Sequence, residues 1–326
     1  MPAVDRRARK RFSGSLRRFF QDEVPALTAS ALSATRTAIE EWRPDVVVVE
    51  QNCLAGSIAA RQAGVPWISV QVTPMSLLDP FRILPGVTEW VNSCFAAPQL
   101  AAGVEPRPWP LRSPDRTIVA ASATLLGPEA RIEPGDVLVG SLLEHRPRSL
   151  PEGAQALFGP HPRVFASLGT AMGDTGWGFL GRAVAGLQGV AGSVVMASSW
   201  SPPDLPANVR VEPWLPQLAV LPEVDVVLCH AGQGTVNEAL CHGLPLAMAP
   251  IQYDQASVAA RVEALGAGLR LSFDDDGPER IREVVHRLLH TPGFAQAARR
   301  VGDSLLACGG AAAAADVVLR QAGVAE

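Results

Sequence analysis

The feature that most constrains this chain is its alternation of short β-branched runs with helical stretches. Pro44-Asp45-Val46-Val47-Val48-Val49 is an unbroken run of this kind. Such runs mark strands buried on both faces, as in parallel sheets covered by helices. A helix is expected before it, from Asp5 to Trp42. There Leu27, Ala31, Ala34 and Ala38, with Leu32, Ile39 and Trp42 beside them, keep the 3.6-residue period. Pro25 stands near the start of the second half of that helix, where proline is tolerated. After the valine run, Leu54 to Gln62 reads as a helix stopped by Gly64 and Pro66, and Trp67 to Val70 as the next strand. Together these make a βαβ unit.

Residues 72–116 lose this periodicity and collect eight prolines with Trp90 and Trp109. An irregular functional loop region is expected there. Short strands follow at 117–120 and 137–139. Proline, arginine and glycine then punctuate the chain, which places a linker at 146–161 between domains at 1–145 and 162–326. Strands resume at Arg163–Ser167, Ser193–Ala197, Val209–Val211, Val224–Cys229, Leu246–Ala249 and Gly268–Leu271, with helices between most of them. Two further helices are expected from Pro278 to Leu289 and from Phe294 to Ala322. The predicted fold class is α/β, with two Rossmann-like doubly wound domains.

Composition narrows the function. With 326 residues, 48% apolar and 18% charged, the chain is too apolar for disorder and long enough for two cores. Net charge is −4, and the basic excess is confined to the N-terminus around Arg6, Arg7, Arg9, Lys10, Arg11, Arg17 and Arg18. The body is therefore acidic, which argues against nucleic-acid binding. No apolar run reaches membrane-span length, so no integral membrane segment is expected. No apolar stretch follows the basic start, so no export signal is expected either. Cys53, Cys94, Cys229, Cys241 and Cys308 are scattered with no C-x-x-C pair, which leaves neither a disulfide framework nor a zinc knuckle. A cytoplasmic protein is the expectation.

The informative string is His230-Ala231-Gly232-Gln233-Gly234-Thr235-Val236-Asn237-Glu238, between a buried strand and a helix. Two glycines in such a turn let main-chain N–H groups face a ligand, and the helix N-terminus adds about half a positive charge. That suits a diphosphate. The same residues also fit a plain capping box, Thr235-x-x-Glu238, and local pattern leaves both readings open.

A longer pattern surrounds the string. Trp214-Leu215-Pro216-Gln217 precedes it, and Gly243-Leu-Pro245, Pro250 and Asp254-Gln255 follow. This order resembles the donor-binding signature of the nucleotide-sugar glycosyltransferases of the GT-B fold, in the macrolide and UDP-glycosyltransferase group that decorates natural products. Ser167-Leu168-Gly169-Thr170 is similar to that family's Ser-x-Gly-Thr turn. Weaker similarity covers the chain from about Arg43 onward.

The resemblance implies a role for each matching position. Trp214 would stack on the nucleobase, with Leu215 beside it, and Gln217 would hydrogen-bond the base; a core anchor is the alternative for Trp214. His230 would donate to the diphosphate as leaving-group charge grows; a packed strand-end histidine is its alternative. Ala231, Gly232, Gln233, Gly234 and Thr235 would cradle the phosphates, and Gly169 and Thr170 would line the cleft. Glu238 would accept from ribose hydroxyls, which favours UDP over a deoxyribose donor. Asp254 and Gln255 would read sugar hydroxyls, or else lie in a solvated loop.

The donor would be a UDP- or dTDP-sugar and the acceptor a small lipophilic aglycone under the 72–116 loops. No metal or other cofactor is implied. In the family a histidine deprotonates the acceptor hydroxyl and an acidic residue orients it, the logic of a base–orienter pair. Glu50 matches the acidic position, where the family more often has Asp. The histidine has no counterpart, since the first in this sequence is His145. The chain is therefore expected to begin inside the family's first domain, leaving an incomplete sheet whose edge needs a partner to cover it. That keeps two rivals open: a non-catalytic nucleotide-sugar-binding protein and, more weakly, a GT-B epimerase.

Two local patterns compete for metal chemistry. Asp274-Asp275-Asp276 imitates a D-x-D motif but precedes Pro278-Glu279-Arg280, and reads as a turn with an N-cap. His286 and His290 lie one helical turn apart without a third ligand nearby in sequence. Histidines near a helix C-terminus are favoured without a metal.

Overall fold

The computed structural model describes residues 14–73, 86–109, 111–143, 149–150, 152, 154–169, 176–200, 202 and 204–324. It divides into two compact units, Met1–Leu142 with Ala307–Glu326, and Leu143–Leu306.

The first unit carries a four-stranded, all-parallel sheet in the order β1-β2-β3-β4, formed by Val47–Glu50, Trp67–Gln71, Thr117–Val119 and Asp136–Leu138. Parallel neighbours need crossover connections. Helix α2 (Leu54–Ala63) makes the first one, and it packs on α1 (Val24–Trp42). Pro25 sits in the first turn of α1, directly after a π-helical turn at Arg18–Glu23. Proline has no N–H and its ring crowds the preceding turn, and a wider turn accommodates both. On one face of the sheet Phe20, Val24, Val49, Leu54, Ile58, Trp67 and Phe95 form a core.

The second face is closed differently from the sequence expectation. The single helix read from Phe294 to Ala322 is two helices, α10 (Pro292–Leu306) and α11 (Gly310–Gln321). Gly309, at φ 87°, breaks the run in the left-handed region that glycine reaches without strain. α11 packs Val317 against Ile68, Ile118 and Val139 of the first unit, and its first N–H, from Gly310, donates to the Val139 carbonyl at 2.8 Å. Residues Pro292–Gln321 have the composition of a membrane span. Broken at Gly309, neither piece reaches the ~20 residues that crossing a bilayer requires.

The stretch 72–116 is less irregular than expected. It holds α3 (Val87–Ala101), which buries Val91, Phe95 and Gln99. Pro98, inside α3, masks the helical period in the sequence. Residues 74–85 lie outside the described residues, and a one-turn helix, α4 (Ala123–Leu126), follows β3.

The second unit carries six parallel strands in the order β10-β9-β8-β5-β6-β7. These are Arg163–Ser167 (β5), Ser193–Ala197 (β6), Val209–Glu212 (β7), Val226–Cys229 (β8), Leu246–Met248 (β9) and Gly268–Arg270 (β10). Counted within the unit, the order is that of a doubly wound dinucleotide-binding sheet, and it reverses between β5 and β8. Val164, Ala166, Val194, Met196, Val226 and Leu228 fill the core on one side. Helices α5 (Trp177–Leu187) and α9 (Pro278–His290) pack there. At 274–276 the turn is closed by Asp276, whose carboxylate accepts from the Ser272 N–H at 2.7 Å. The N-cap of α9 is Gly277 rather than an aspartate.

Candidate functional site

In open α/β sheets ligands bind beyond the carboxyl ends of the strands where the order reverses. Here that point lies between the segments leaving β5 and β8. A cleft of about 730 Å³ opens there, lined by Ser167, Leu168 and Gly169 from one segment and by His230, Gly232 and Gln233 from the other. Trp214, Leu215, Gln217, Gly234, Thr235, Glu238 and Gln255 complete most of the expected set.

Helix α7 (Gln233–Cys241) begins earlier than the capping-box pattern requires. Its N-cap is Gly232, with no side-chain cap, and the Val236 N–H donates to the Gly232 carbonyl at 3.0 Å. Thr235 is therefore the third helical residue, and the capping-box reading does not hold. Helix-terminal N–H groups without a capping side chain face the cleft, the arrangement that favours anions.

His230 is gripped on two sides. A Cβ at Gly169 would stand 2.8 Å from its Cε1, and one at Gly232 would collide with its Nε2. Gly169 also has φ 75°, which disfavours any side chain there. These glycines let two main-chain segments close on the imidazole. Burial holds the His230 pKa below the ordinary histidine value, partly offset by a bond to the Ser167 main chain. Ala231, at φ 64°, is a non-glycine residue in the left-handed region. It is buried behind the cleft and does not line it.

Gln217 and Glu238 meet across the cleft wall. The Gln217 amide donates to Glu238 Oε2 at 2.6 Å, from the start of the short helix α6 (Gln217–Val220). Glu238 is only 2% exposed. Trp214, in contrast, is 66% exposed. It is no core anchor, and its ring is available to a ligand.

Three buried polar atoms at and beside this cleft have no hydrogen-bond partner: His230 Nδ1, Gln233 Oε1 and Asp254 Oδ2. Each orphan costs about 1–3 kcal/mol, so three together are more readily understood as ligand-directed than as packing. Asp254 is no solvated loop residue, because burial pushes its pKa up to about 6. Its neighbours Gln252, Tyr253 and Gln255 line the cleft, though Asp254 itself does not. Gln255 Oε1 accepts from the N–H groups of Ile251 and Gln252 at 2.8 and 3.0 Å, which ties down the loop before α8 (Gln255–Ala264).

Some expected residues are not brought to this cleft. Thr170 lies outside the described residues. Glu50 belongs to the first unit, where it ends β1 half-buried. Tyr253, which the sequence reading missed, lines the cleft at φ 53°. Its signal was adjacency to Asp254, and strain of this kind gathers at ligand sites. Ser198 and Ser199 also line it, just beyond β6. His286 and His290 stack at 4.1 Å. No group of three or more metal-binding side chains forms among the described residues.

Comparison with known proteins agrees with this geometry. Residues 190–318 match the family model of the erythromycin biosynthesis protein CIII-like C-terminal domain. The chain is 30% identical over 298 residues to the elloramycin glycosyltransferase of Streptomyces olivaceus, covering 87% of this chain and 71% of that protein. Among solved structures, the glycotransferase of kitacinnamycin is similar at a TM-score of 0.73 and 26% identity, covering 90% of this chain and 80% of that one. The spinosyn rhamnosyltransferase complexed with thymidine diphosphate shares the fold at a TM-score of 0.75 and 23% identity, covering 95% and 82%. With its parallel sheets, switch-point cleft and these relatives, the chain belongs to the GT-B glycosyltransferases of natural-product and antibiotic biosynthesis.

Proposed function

We propose that this chain moves a hexosyl group from a UDP- or dTDP-sugar to a hydroxyl of a small lipophilic acceptor, with inversion. The observation that carries this reading is the start of α7, without a side-chain cap, beside a half-buried His230 at the switch point. A diphosphate seated there would meet helix N–H donors and an imidazole in a largely buried site. Such preorganised donors stabilise charge as it builds on the leaving group.

The surrounding side chains divide the donor among them. The exposed Trp214 ring offers a stacking surface for the base, and Glu238, held by Gln217, offers acceptors to ribose hydroxyls. Gln255, which lines the cleft, and Asp254 beside it, whose Oδ2 still lacks a donor, would read the sugar. In the reaction the acceptor oxygen forms the new bond to the anomeric carbon. The old anomeric C–O bond breaks, and its electron pair leaves on the nucleoside diphosphate. As that bond forms the acceptor hydroxyl would pass its proton to a general base, and Glu50 is the acceptor-side acidic group that would orient such a base.

Calorimetry with UDP and dTDP tests the donor half. Micromolar binding that disappears in the Trp214→Ala, His230→Ala double variant is expected, and unaltered binding overturns the reading. Turnover of dTDP-glucose with a panel of phenolic acceptors tests transfer. Donor binding without turnover on any acceptor would leave a nucleotide-sugar-binding protein.

A further inference from the structure

The first unit holds a hydrogen-bond chain that neither the fold nor the donor cleft uses. The carboxylate of Glu50 is clamped at both oxygens by one residue. The Asn52 main-chain N–H donates to Oε2 at 2.8 Å, and the Asn52 side-chain Nδ2 donates to Oε1 at 3.2 Å. Asn52 Oδ1 in turn accepts from the Trp109 indole N–H at 2.7 Å. An indole nitrogen is a donor only. Its contact therefore fixes which end of the Asn52 amide is oxygen and obliges the NH₂ end to face Glu50, removing the usual ambiguity of amide orientation.

Trp109 is itself held from two directions. Its main-chain N–H donates to Asn92 Oδ1 on α3 at 3.0 Å. Its ring meets Phe20 edge-on at 5.1 Å and lies near Phe95 at 6.5 Å. Upstream, the buried Gln99 fastens the same segment by accepting from the Arg107 N–H and donating to the Arg107 carbonyl, both at 2.9 Å. The proline-rich segment after α3 is thus pinned so that one indole N–H reaches the end of β1.

We propose that Asn52 and Trp109 are positioning residues that set the orientation of the Glu50 carboxylate through this Trp109–Asn52–Glu50 relay. The significance of that orientation rests on the reading of Glu50 as the acceptor-side acid. Packing alone would keep the Trp109 ring where it is. What packing does not require is the indole donor aimed at an amide that clamps a carboxylate. With both oxygens already engaged, the remaining lone pairs of Glu50 point in fixed directions, which is what an orienting group needs. Burial raises the Glu50 pKa, and the Asn52 and Gln51 hydrogen bonds oppose that rise. Among the described residues Glu50 forms no ion pair, so burial raises its pKa and these bonds are what limit the rise.

The test is NMR titration of the full chain, with ¹⁵N-tryptophan and ¹³C-carboxyl glutamate labels. In the wild type the Trp109 indole N–H signal should move with the midpoint of the Glu50 titration, and Glu50→Gln should abolish that movement. Trp109→Phe keeps the ring and removes the donor. It should raise the Glu50 midpoint by about one pH unit, the effect of weakening a bond to the charged form. Asn52→Ala removes the amide that joins the two, and should raise the midpoint and uncouple the indole signal from it. This variant also decides the question if Trp109→Phe does not fold. An indole signal indifferent to Glu50 ionisation, or a midpoint unmoved in the variants, overturns the relay. The reading of Glu50 fails separately: unchanged dTDP-glucose turnover in Glu50→Gln would end its catalytic part and leave the relay standing.

Discussion

Gln217 and Glu238 lie on different helices and 21 positions apart, yet the amide of one donates to the carboxylate of the other at 2.6 Å. A carboxyl group buried to 2% exposure needs such a donor to satisfy and direct its oxygens. Gln217→Leu should therefore weaken UDP and dTDP binding about tenfold, roughly 1.4 kcal/mol. Calorimetry measures this directly. Glu238→Gln, which keeps the shape and loses the charge, should reproduce most of the loss.

Trp214 separates a ligand-facing role from a packing role. Because the ring is already largely in water, Trp214→Ala should change unfolding free energy by no more than about 0.5 kcal/mol. Loss of base stacking should still cost about 1–3 kcal/mol of nucleotide affinity. Equal losses in urea denaturation and in calorimetry would contradict the assignment.

Gly232→Ala should fail in a way ordinary helix-start substitutions do not. The added methyl meets His230 Nε2, so the imidazole must leave its seat or the turn must open. Gly169→Ala adds positive-φ strain of about 1 kcal/mol to a similar clash. Both variants should melt lower by several degrees and lose dTDP binding, as scanning calorimetry and titration would read.

Asp254 gives a pH signature with a definite sign. Its folded pKa of about 6 stands above the ordinary 3.8. Its stabilising contribution is therefore full below pH ~4 and is lost as pH rises through 6, costing about 2–3 kcal/mol at pH 7 and above. Asp254→Asn should be the more stable protein at pH 7–8, with the advantage shrinking towards pH 4. His230 works in the opposite direction. Its lowered pKa makes stability fall as pH drops below 6.5, so the wild-type-minus-variant difference isolates Asp254. Urea titrations from pH 4 to 8 provide that difference.

Much of this molecule was legible in its residues. The Val46–Val49 run, the strand ending at Cys229 and the alternation after Arg163 are local patterns of burial, and local patterns survive folding. The turn that lines the cleft was legible for a related reason: a strand, a glycine turn and a helix start are contiguous in the chain. Reading failed where one residue hid a period or where two segments had to meet. Pro98 concealed α3, and the alanine-rich run concealed the break at Gly309.

The sequence by itself determined two α/β units, the strand positions and the residue types around a diphosphate-sized turn, because hydrophobic period and turn chemistry act over a few neighbours. Only the tertiary structure decided which of those residues meet. Gly232 begins α7, so Glu238 turns to Gln217 instead of capping its own helix. Two glycines from the segments after β5 and β8 close on His230, and Trp109 reaches Asn52 across 57 positions. Exposure, orphaned polar atoms and the partner of a buried carboxylate depend on what distant segments bring alongside, and no local pattern carries that information.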